Sequence, residues 1–176
     1  LDIAECNFNI VDRRQSTVYP RLWIKADVRN QTDLREVVPY NCTLVKLAAE
    51  HNDDVRPVSL YDDVNVQGAP HLCAEAREKG IERVLFTSTV AVYGFAPAGT
   101  DESGEINYFN DYGRTKWLAE EVYREWQAED PQRRSLVIIR PTVVFGEQNR
   151  GNVYNLLRQI ASGGFVMIGN GLNHKS

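Results

Sequence analysis

With 176 residues, 43% hydrophobic and 25% charged, the chain has the composition of a globular protein and room for one domain with a sizeable core. Its net charge of −4, without a basic block, argues against a nucleic-acid partner, and its longest apolar runs are too short for a membrane span. The 3 cysteines are widely spaced and the histidines are scattered, so no metal site is expected and reduced thiols in a cytoplasmic protein are predicted.

The first predicted strand is Asn7–Val11, and Asp12 stands at its carboxyl end. In a dinucleotide-binding sheet, an acid at this position accepts hydrogen bonds from the hydroxyls of the adenosine ribose. Taken alone, such an Asp is more simply explained as the cap of a turn or helix. Arg13 and Arg14 could hold a 2′-phosphate, so NADP is not excluded, but Asp12 would repel that phosphate and NAD is favoured.

A short strand and a short helix are predicted next. The strand covers residues 22–26 and has a polar end at Asp27. The helix covers residues 32–38, and either Asn30 or Thr32 is in place to cap it. These elements continue the alternation of strand and helix along the chain.

Residues 42–47 are strand-like, and Ala48 and Ala49 follow them directly. Small residues after a central strand let a cofactor approach the backbone closely, although a simple turn of small residues explains the pair as well. A long helix is then predicted for residues 57–79. Pro70 should kink this helix, and the glycine at position 80 should stop it.

Residues 83–89 form an apolar, β-branched run that ends in hydroxyl-bearing residues, as expected for a buried parallel strand. Tyr112 and Lys116 stand four residues apart at the start of the next helix, so they share one face. A phenol has a reference pKa of about 10. An ammonium one turn away stabilises the phenolate, which would make Tyr112 a general base. By itself, this spacing also fits a surface Tyr and Lys on an amphipathic helix.

The remaining elements repeat the alternation. Residues 135–140 are predicted to be a buried strand, and residues 141–146 end it. Residues 151–161 form a helix with one apolar face, and residues 165–168 a last strand. The order of elements predicts an α/β fold with a Rossmann-like, doubly wound parallel sheet and helices on both faces.

Four segments occur in one order: Thr-Ser-Thr at 87–89, Val-Tyr-Gly at 92–94, Tyr-x-x-x-Lys at 112–116 and Arg-Pro at 140–141. This ordered signature resembles the extended short-chain dehydrogenase/reductase family, the NAD-dependent nucleotide-sugar epimerases and dehydratases. The likeness extends over residues 7–175.

The resemblance implies a role for many individual residues. Tyr112 would remove a proton from a sugar hydroxyl, Lys116 would lower the pKa of Tyr112, and Thr89 would orient the substrate. Asn65 matches a family Asn-x-x-Gly and is expected to brace a neighbouring strand rather than to act in catalysis. The implied substrate contacts are Thr89, Val90, Ala91, Tyr112 and Arg150. The implied NAD contacts are Asp12, Asp27, Val28, Leu47, Ala48, Ala49, Thr87, Tyr112, Lys116, Pro141 and Val143.

The residues after Thr89 separate the siblings within this family. The 4,6-dehydratases carry Asp-Glu there because water elimination needs an added acid and base, whereas Val90 and Ala91 cannot transfer protons. A reaction like that of UDP-glucose 4-epimerase, by transient oxidation of a nucleotide-sugar to a keto sugar, is therefore expected. An NAD(P)-dependent carbonyl reductase of the same family, or a non-catalytic dinucleotide-binding protein or fragment, remain alternatives. Many epimerases also have Asn where Val143 stands.

Residues 1–176 are expected to form one incomplete NAD(P)-binding domain, in which residues 147–176 begin the substrate-binding region. No glycine-rich turn precedes Asp12, so the first strand, its pyrophosphate-binding loop and most of the substrate lobe are expected to be lacking. The family often dimerises through the helix that carries the Tyr and Lys. The residues of this helix that would serve a homodimer, but that an ordinary core face explains equally well, are Leu118, Val122 and Trp126.

Overall fold

The computed structural model describes residues 24–51, 55–146, 151–167 and 170. Within these ranges, three parallel strands form one sheet in the order β1-β2-β3. The strands are β1 (Thr43–Lys46), β2 (Arg83–Thr87) and β3 (Ser135–Ile139). The helical segments are α1 (Gln31–Val37), α2 (Ser59–Tyr61), a π-helix (Asp62–Gln67), α3 (Gly68–Glu78), a 3-10 turn (Val90–Tyr93), α4 (Asp111–Ala128) and α5 (Asn152–Ala161).

The three strands lie in register, so equivalent side chains point to the same face of the sheet. Lys46 pairs with Phe86, and Phe86 pairs with Ile138, on the face covered by α3 and α4. On the opposite face, Val45 is 44% exposed and Val137 is 50% exposed. The parallel Rossmann-like sheet is confirmed, whereas helices on both faces are not found among the described residues.

The core lies between the sheet and helices α3 and α4. Trp126 and Tyr123 of α4 are fully buried, and the ring of Tyr123 lies 4.7 Å from that of Phe86 on β2. Val122 packs against the same cluster, and Leu118 is half-buried. The buried aromatic residues supply much of the apolar area that holds α4 on the sheet. Of the two alternatives for Trp126, a dimer contact or a core residue, the structure shows a core residue.

Local sequence signals explain where the helices begin and end. The side chain of Asn30 accepts hydrogen bonds from the first turn of α1, so Asn30 is the cap. Asn110 caps α4 in the same way through a 2.8 Å bond from the amide of Gly113. At the end of α3, Gly80 has a φ of +65°, and the amide of Ile81 bonds to the carbonyl of Ala76.

The long helix predicted for residues 57–79 is interrupted rather than simply kinked. The π-helix Asp62–Gln67 lies immediately before the segment that contains Pro70. Proline lacks the amide hydrogen that would bond four residues back, and its ring crowds the carbonyl there, which belongs to Val66. The irregular turn is thus the structural form of the predicted break.

Two predicted strands are wrong in their described parts. Residues 24–26 form no strand, and Ala26 is buried without a neighbouring strand to pair with among the described residues. Residues 165–167 are irregular, and their side chains are between 45% and 77% exposed. An apolar run forms a strand only where it can pair with the edge strand of a sheet. The predicted strand Asn7–Val11 lies outside the described residues.

Candidate active site

Thr89 follows the carboxyl end of β2 and caps the 3-10 turn Val90–Tyr93. Its hydroxyl accepts a 3.2 Å hydrogen bond from the amide of Ala91, and the residue is 8% exposed. The same hydroxyl lies close enough to the phenol of Tyr112, the second residue of α4, to lower the pKa of that phenol. The structure therefore brings together Thr89 and Tyr112, as the order of segments in the sequence predicted.

A glycine on α4 permits this meeting. A Cβ on Gly113 would lie 2.5 Å from the backbone oxygen of Ala91, a distance that side chains do not adopt. The start of α4 therefore packs directly against the backbone of the 3-10 turn. Tyr112 precedes Gly113 and is carried to the carboxyl end of the sheet by this close approach.

Lys116 lies one turn further along α4 and is 2% exposed. Its ammonium donates to the carbonyl of Thr87, at the end of β2, and lies 4.3 Å from the centroid of the Phe86 ring. Burial and, to a smaller extent, the positive charge of Lys46 lower the pKa of Lys116 to about 7, against the opposing charge of Glu120. Near neutral pH, this amine can therefore be either charged or neutral.

The electrostatics of Tyr112 differ from the prediction. Burial raises the pKa of the phenol, and the neighbouring Thr89 hydroxyl offsets only part of the rise in pKa. The lowering by Lys116 expected from the four-residue spacing is absent, because the ammonium is directed to the Thr87 carbonyl instead. The shared helix face is thus confirmed, while the direct charge stabilisation of the phenolate is not present in this structure.

Asn65 joins α4 to the segment after β1. Its amide group accepts a 2.9 Å bond from the amide of Glu50 and donates 3.0 Å to the carbonyl of the same residue. It also donates 3.1 Å to the hydroxyl of Thr115, which lies between the two candidate catalytic residues on α4. Asn65 is 3% exposed, and these contacts agree with the predicted bracing role.

A buried ion pair between Arg140 and Glu120, which the sequence did not predict, supports the candidate active site. Arg140, directly after β3, donates 2.9 Å and 2.5 Å bonds to the two carboxylate oxygens of Glu120, which is fully buried. Arg140 also donates to the hydroxyl of Tyr93 in the 3-10 turn. Burial raises the pKa of Glu120, but the hydrogen bonds and charge of Arg140, together with Arg124 and other neighbours, hold that pKa below its usual value. The one available signal was Glu120 four residues after Lys116, on the same helix face.

The predicted cofactor contacts lie at the carboxyl ends of the strands. After β1, Leu47 is 61% exposed, and Ala48 and Ala49 are half-buried, so a ligand can approach this backbone. After β3, the carbonyl of Pro141 accepts a 3.3 Å bond from the amide of Val90, and Val143 is half-buried. In open α/β sheets, ligands bind at this end of the strands.

The segment before α1 offers a carboxylate and a buried wall. Asp27 forms a 2.6 Å ion pair with Arg29, whose hydrogen bonds lower the pKa of the carboxyl. Val28 is 4% exposed and packs against α3, where a Cβ on Gly68 would lie 3.0 Å from its side chain. Val28 is therefore enclosed, and its carbonyl lies 3.2 Å from Nδ1 of His71.

Taken together, these residues fit a dinucleotide. They provide small residues after β1, one carboxylate before α1, and a buried lysine and a half-buried tyrosine at the carboxyl end of β2. Val90 and Ala91 are half-buried beside Thr89, and neither has a group that transfers protons. The two remaining predicted contacts, Asp12 and Arg150, lie outside the described residues.

The described residues contain no cluster of three or more His, Cys, Asp or Glu side chains that could hold a metal ion. Burial raises the pKa of the Cys73 thiol to about 12, so this thiol stays protonated and unreactive. None of the helices in the described ranges has the length and apolar composition to cross a bilayer.

Comparison with known proteins agrees with this geometry. The model of the NAD dependent epimerase/dehydratase family matches residues 4–175. The chain belongs to this family. It is 52% identical, over 99% of its length and 53% of the relative, to N-acetyl-alpha-D-glucosaminyl-diphospho-ditrans,octacis-undecaprenol 4-epimerase of Escherichia coli O157:H7. It is 28% identical, over 78% of its length and 43% of the relative, to UDP-glucose 4-epimerase of Vibrio cholerae.

Solved structures support the fold. A double mutant of DesIV, a dTDP-glucose 4,6-dehydratase from Streptomyces venezuelae with NAD and DAU bound, superposes with a TM-score of 0.72 at 24% identity. The match covers 83% of this chain and 47% of that one. The chain spans about half the length of the curated relatives it matches first, at 53% and 43%.

Proposed function

We propose that this chain supplies the catalytic residues of an NAD-dependent 4-epimerase acting on a nucleotide-sugar, with Thr89, Tyr112 and Lys116 as the reacting set. The observation that carries the proposal is the packing of the start of α4 against the turn after β2, which brings Tyr112 beside Thr89 with Lys116 one turn away. Membership of the NAD-dependent epimerase/dehydratase family supports the same assignment.

Each residue of the set has a separate task. The phenolate oxygen of Tyr112 takes the proton of the sugar 4-hydroxyl and later returns it to the same sugar oxygen, and Thr89 holds that hydroxyl in line. When bound, NAD would supply the redox chemistry at carbon 4, and epimerisation requires that the hydrogen return to the opposite face of this carbon. Lys116 would be held by the cofactor and would supply the positive charge that a phenolate needs. Asp27, the 47–49 segment and Pro141 would line the rest of the cofactor site.

Between the two proton transfers the sugar is a keto compound that changes its orientation in the site. Because its carbon 4 is oxidised and then reduced again, the reaction has no net oxidation. Val90 and Ala91 leave the site without the extra acid and base that dehydration requires. A carbonyl reductase with the same three residues would instead consume one nicotinamide cofactor for each product molecule. Constant absorbance of the reduced cofactor during turnover therefore separates the epimerase from the reductase.

A lipid-linked substrate is the second candidate. The relative at 52% identity is named for an N-acetylglucosaminyl diphosphate joined to undecaprenol rather than to a nucleoside. Phe95 and Phe109, in the loop before α4, stack with ring centroids 4.7 Å apart. They are 87% and 59% exposed, which leaves an apolar surface that a polyprenyl chain could contact. Both candidates share the diphosphate-linked sugar and the same chemistry at carbon 4.

The test compares Tyr112→Phe with Tyr108→Phe, a change of the same chemistry four residues earlier in the loop, at a residue that is 40% exposed. UDP-glucose, UDP-N-acetylglucosamine and the undecaprenyl diphosphate of N-acetylglucosamine are offered to the protein with NAD, and the products are separated by chromatography. Tyr112→Phe should lose at least about 100-fold in turnover while retaining NAD binding, because general base catalysis contributes roughly that much. Tyr108→Phe should stay near normal.

Near-normal turnover of Tyr112→Phe would overturn the assignment. Epimerisation of the lipid-linked substrate alone would select the second candidate. NAD binding without turnover of any of the three sugars would favour a non-catalytic dinucleotide-binding protein.

A further inference from the structure

Lys46 is a second buried lysine at the edge of the sheet that carries the candidate active site. It is the last residue of β1 and is 4% exposed. Its ammonium donates to the carbonyl of Ala48, two residues further along the chain. A lysine this deeply buried is costly for a fold, because the charged form loses its hydration.

The sheet register places the charge of Lys46 on the same side as that of Lys116. Lys46 pairs with Phe86 on β2, and paired residues in a parallel sheet point to one face. The ammonium of Lys116 lies over the ring of Phe86 at 4.3 Å and donates to the carbonyl of Thr87. The two ammonium groups are therefore held at the carboxyl ends of neighbouring strands, Lys116 over the Phe86 ring and Lys46 at the carbonyl of Ala48.

We propose that Lys46 is a positioning residue of the candidate active site, whose buried ammonium sets the protonation of Lys116. Two like charges in a dry environment oppose each other, so each favours the neutral form of the other. The importance of this coupling for turnover rests on the proposed function, whereas the coupling itself does not.

Few other ionisable groups act on Lys116. Glu120, one turn further along α4, is the acidic group that favours its charged form, while Lys46 from β1 disfavours it. Glu120 is already engaged by Arg140 from the segment after β3, at 2.5 Å, and by Arg124 at 3.3 Å. From β2, Lys116 meets the Phe86 ring and a backbone carbonyl, neither of which titrates. The charged groups that act on the protonation of Lys116 are thus the ammonium of Lys46 and the carboxylate of Glu120, and this carboxylate also pairs with two arginines.

The consequence is an amine whose charge responds to its surroundings near neutral pH. Burial and Lys46 together lower the pKa of Lys116 to about 7. When an anionic group such as a phenolate or a cofactor phosphate comes to lie beside Lys116, it favours protonation of the lysine. The anion and the ammonium then form a charge pair. Without Lys46, the pKa of Lys116 would be higher, so Lys116 would be more fully charged near neutral pH and would respond less to an arriving anion.

The experiment measures Lys116 directly. The chain contains five lysines, so the side-chain carbon signals of protein labelled with ¹³C-lysine can each be assigned by single substitution. Lys46→Met keeps the length and apolar character of the side chain and removes the charge. The titration midpoint of Lys116 should rise by about one pH unit, the size expected from a nearby like charge. Lys25→Met, at an exposed position, changes the net charge equally and should leave the midpoint in place.

A Lys116 midpoint that is the same in Lys46→Met and in the unaltered protein would overturn the proposal. Lys46→Arg restores the positive charge and should return the midpoint toward its original value, which separates a charge effect from repacking. Far-UV circular dichroism verifies that each variant is folded. A shifted midpoint in a protein that epimerises no sugar would support the coupling and refute the proposed function. Epimerisation without a shifted midpoint would do the reverse.

Discussion

The buried pair of Glu120 and Arg140 makes a demanding prediction about stability. Glu120 is fully buried, and Arg140 donates to both of its carboxylate oxygens. The change Glu120→Gln keeps the shape of the side chain and one acceptor, but it leaves a guanidinium whose side chain is 9% exposed without a counter-charge. Removal of one partner from a buried pair costs about 3–5 kcal/mol. Because Gln retains one hydrogen bond, we expect a loss of about 3 kcal/mol.

The matched control is Glu121→Gln, at the next position of the same helix. Glu121 is 48% exposed and lies 3.6 Å from Arg124. A surface pair of this kind contributes less than about 1 kcal/mol. Both free energies of unfolding are measured by urea titration, with tryptophan fluorescence and far-UV circular dichroism as independent probes.

The pH dependence provides a second check on the same variant. The folded pKa of Glu120 lies below its usual value, so its contribution to stability is present above the unfolded pKa and is lost as pH falls through the folded pKa. The difference between Glu120→Gln and the unaltered protein should therefore be full at pH 7 and shrink below about pH 4. A loss no larger than that of Glu121→Gln, or a difference that grows in acid, would refute the role given to this pair.

Four further variants test other parts of the structure. In the unaltered protein, stability should rise between about pH 7 and 10.5, because Lys116 has a folded pKa of about 7 and the unfolded lysine binds more protons across that range. Lys116→Met should remove this rise in stability. Thermal melts across the same pH range would detect the difference. Gly94→Ala should cost more than about 2 kcal/mol, since its Cβ would lie 2.0 Å from the Asn107 carbonyl at a φ of +62°. Gly99→Ala, with a φ of +86° and nothing within 4 Å, should cost about 1 kcal/mol. Asn65→Ala should cost about 1–3 kcal/mol by leaving buried partners of its amide unsatisfied, and it should also raise the exchange rate of the Glu50 amide.

Much of the site could be predicted because its signals are local. The spacing of Tyr112 and Lys116 fixes their common helix face, and the hydroxyls at the end of β2 place Thr89 at the ligand-binding edge of a parallel sheet. The predicted structural role of Asn65 also holds, since it bonds both backbone groups of Glu50.

The remaining features depend on contacts between distant parts of the chain. The pair of Glu120 and Arg140 joins residues 20 positions apart, and a charged residue at the end of an apolar strand gives no sign of its partner. Lys116 faces a backbone carbonyl rather than the Tyr112 phenol, which only the packing of α4 on β2 determines. The strand predicted at residues 165–168 shows the same limit, because its described residues lie exposed.

The π-helix Asp62–Gln67 makes two functions of one helix separable. A π turn holds one more residue than an α turn. The extra residue is accommodated within the turn, so the helices on either side of it keep their orientation. Asn65 lies in that turn, whereas Leu72 and Ala76 of α3 pack in the core. A chain one residue shorter in this turn could therefore preserve the packing of α3 and lose only the bracing of α4. Length variation at this point would change how firmly the site is held without changing the frame that carries it.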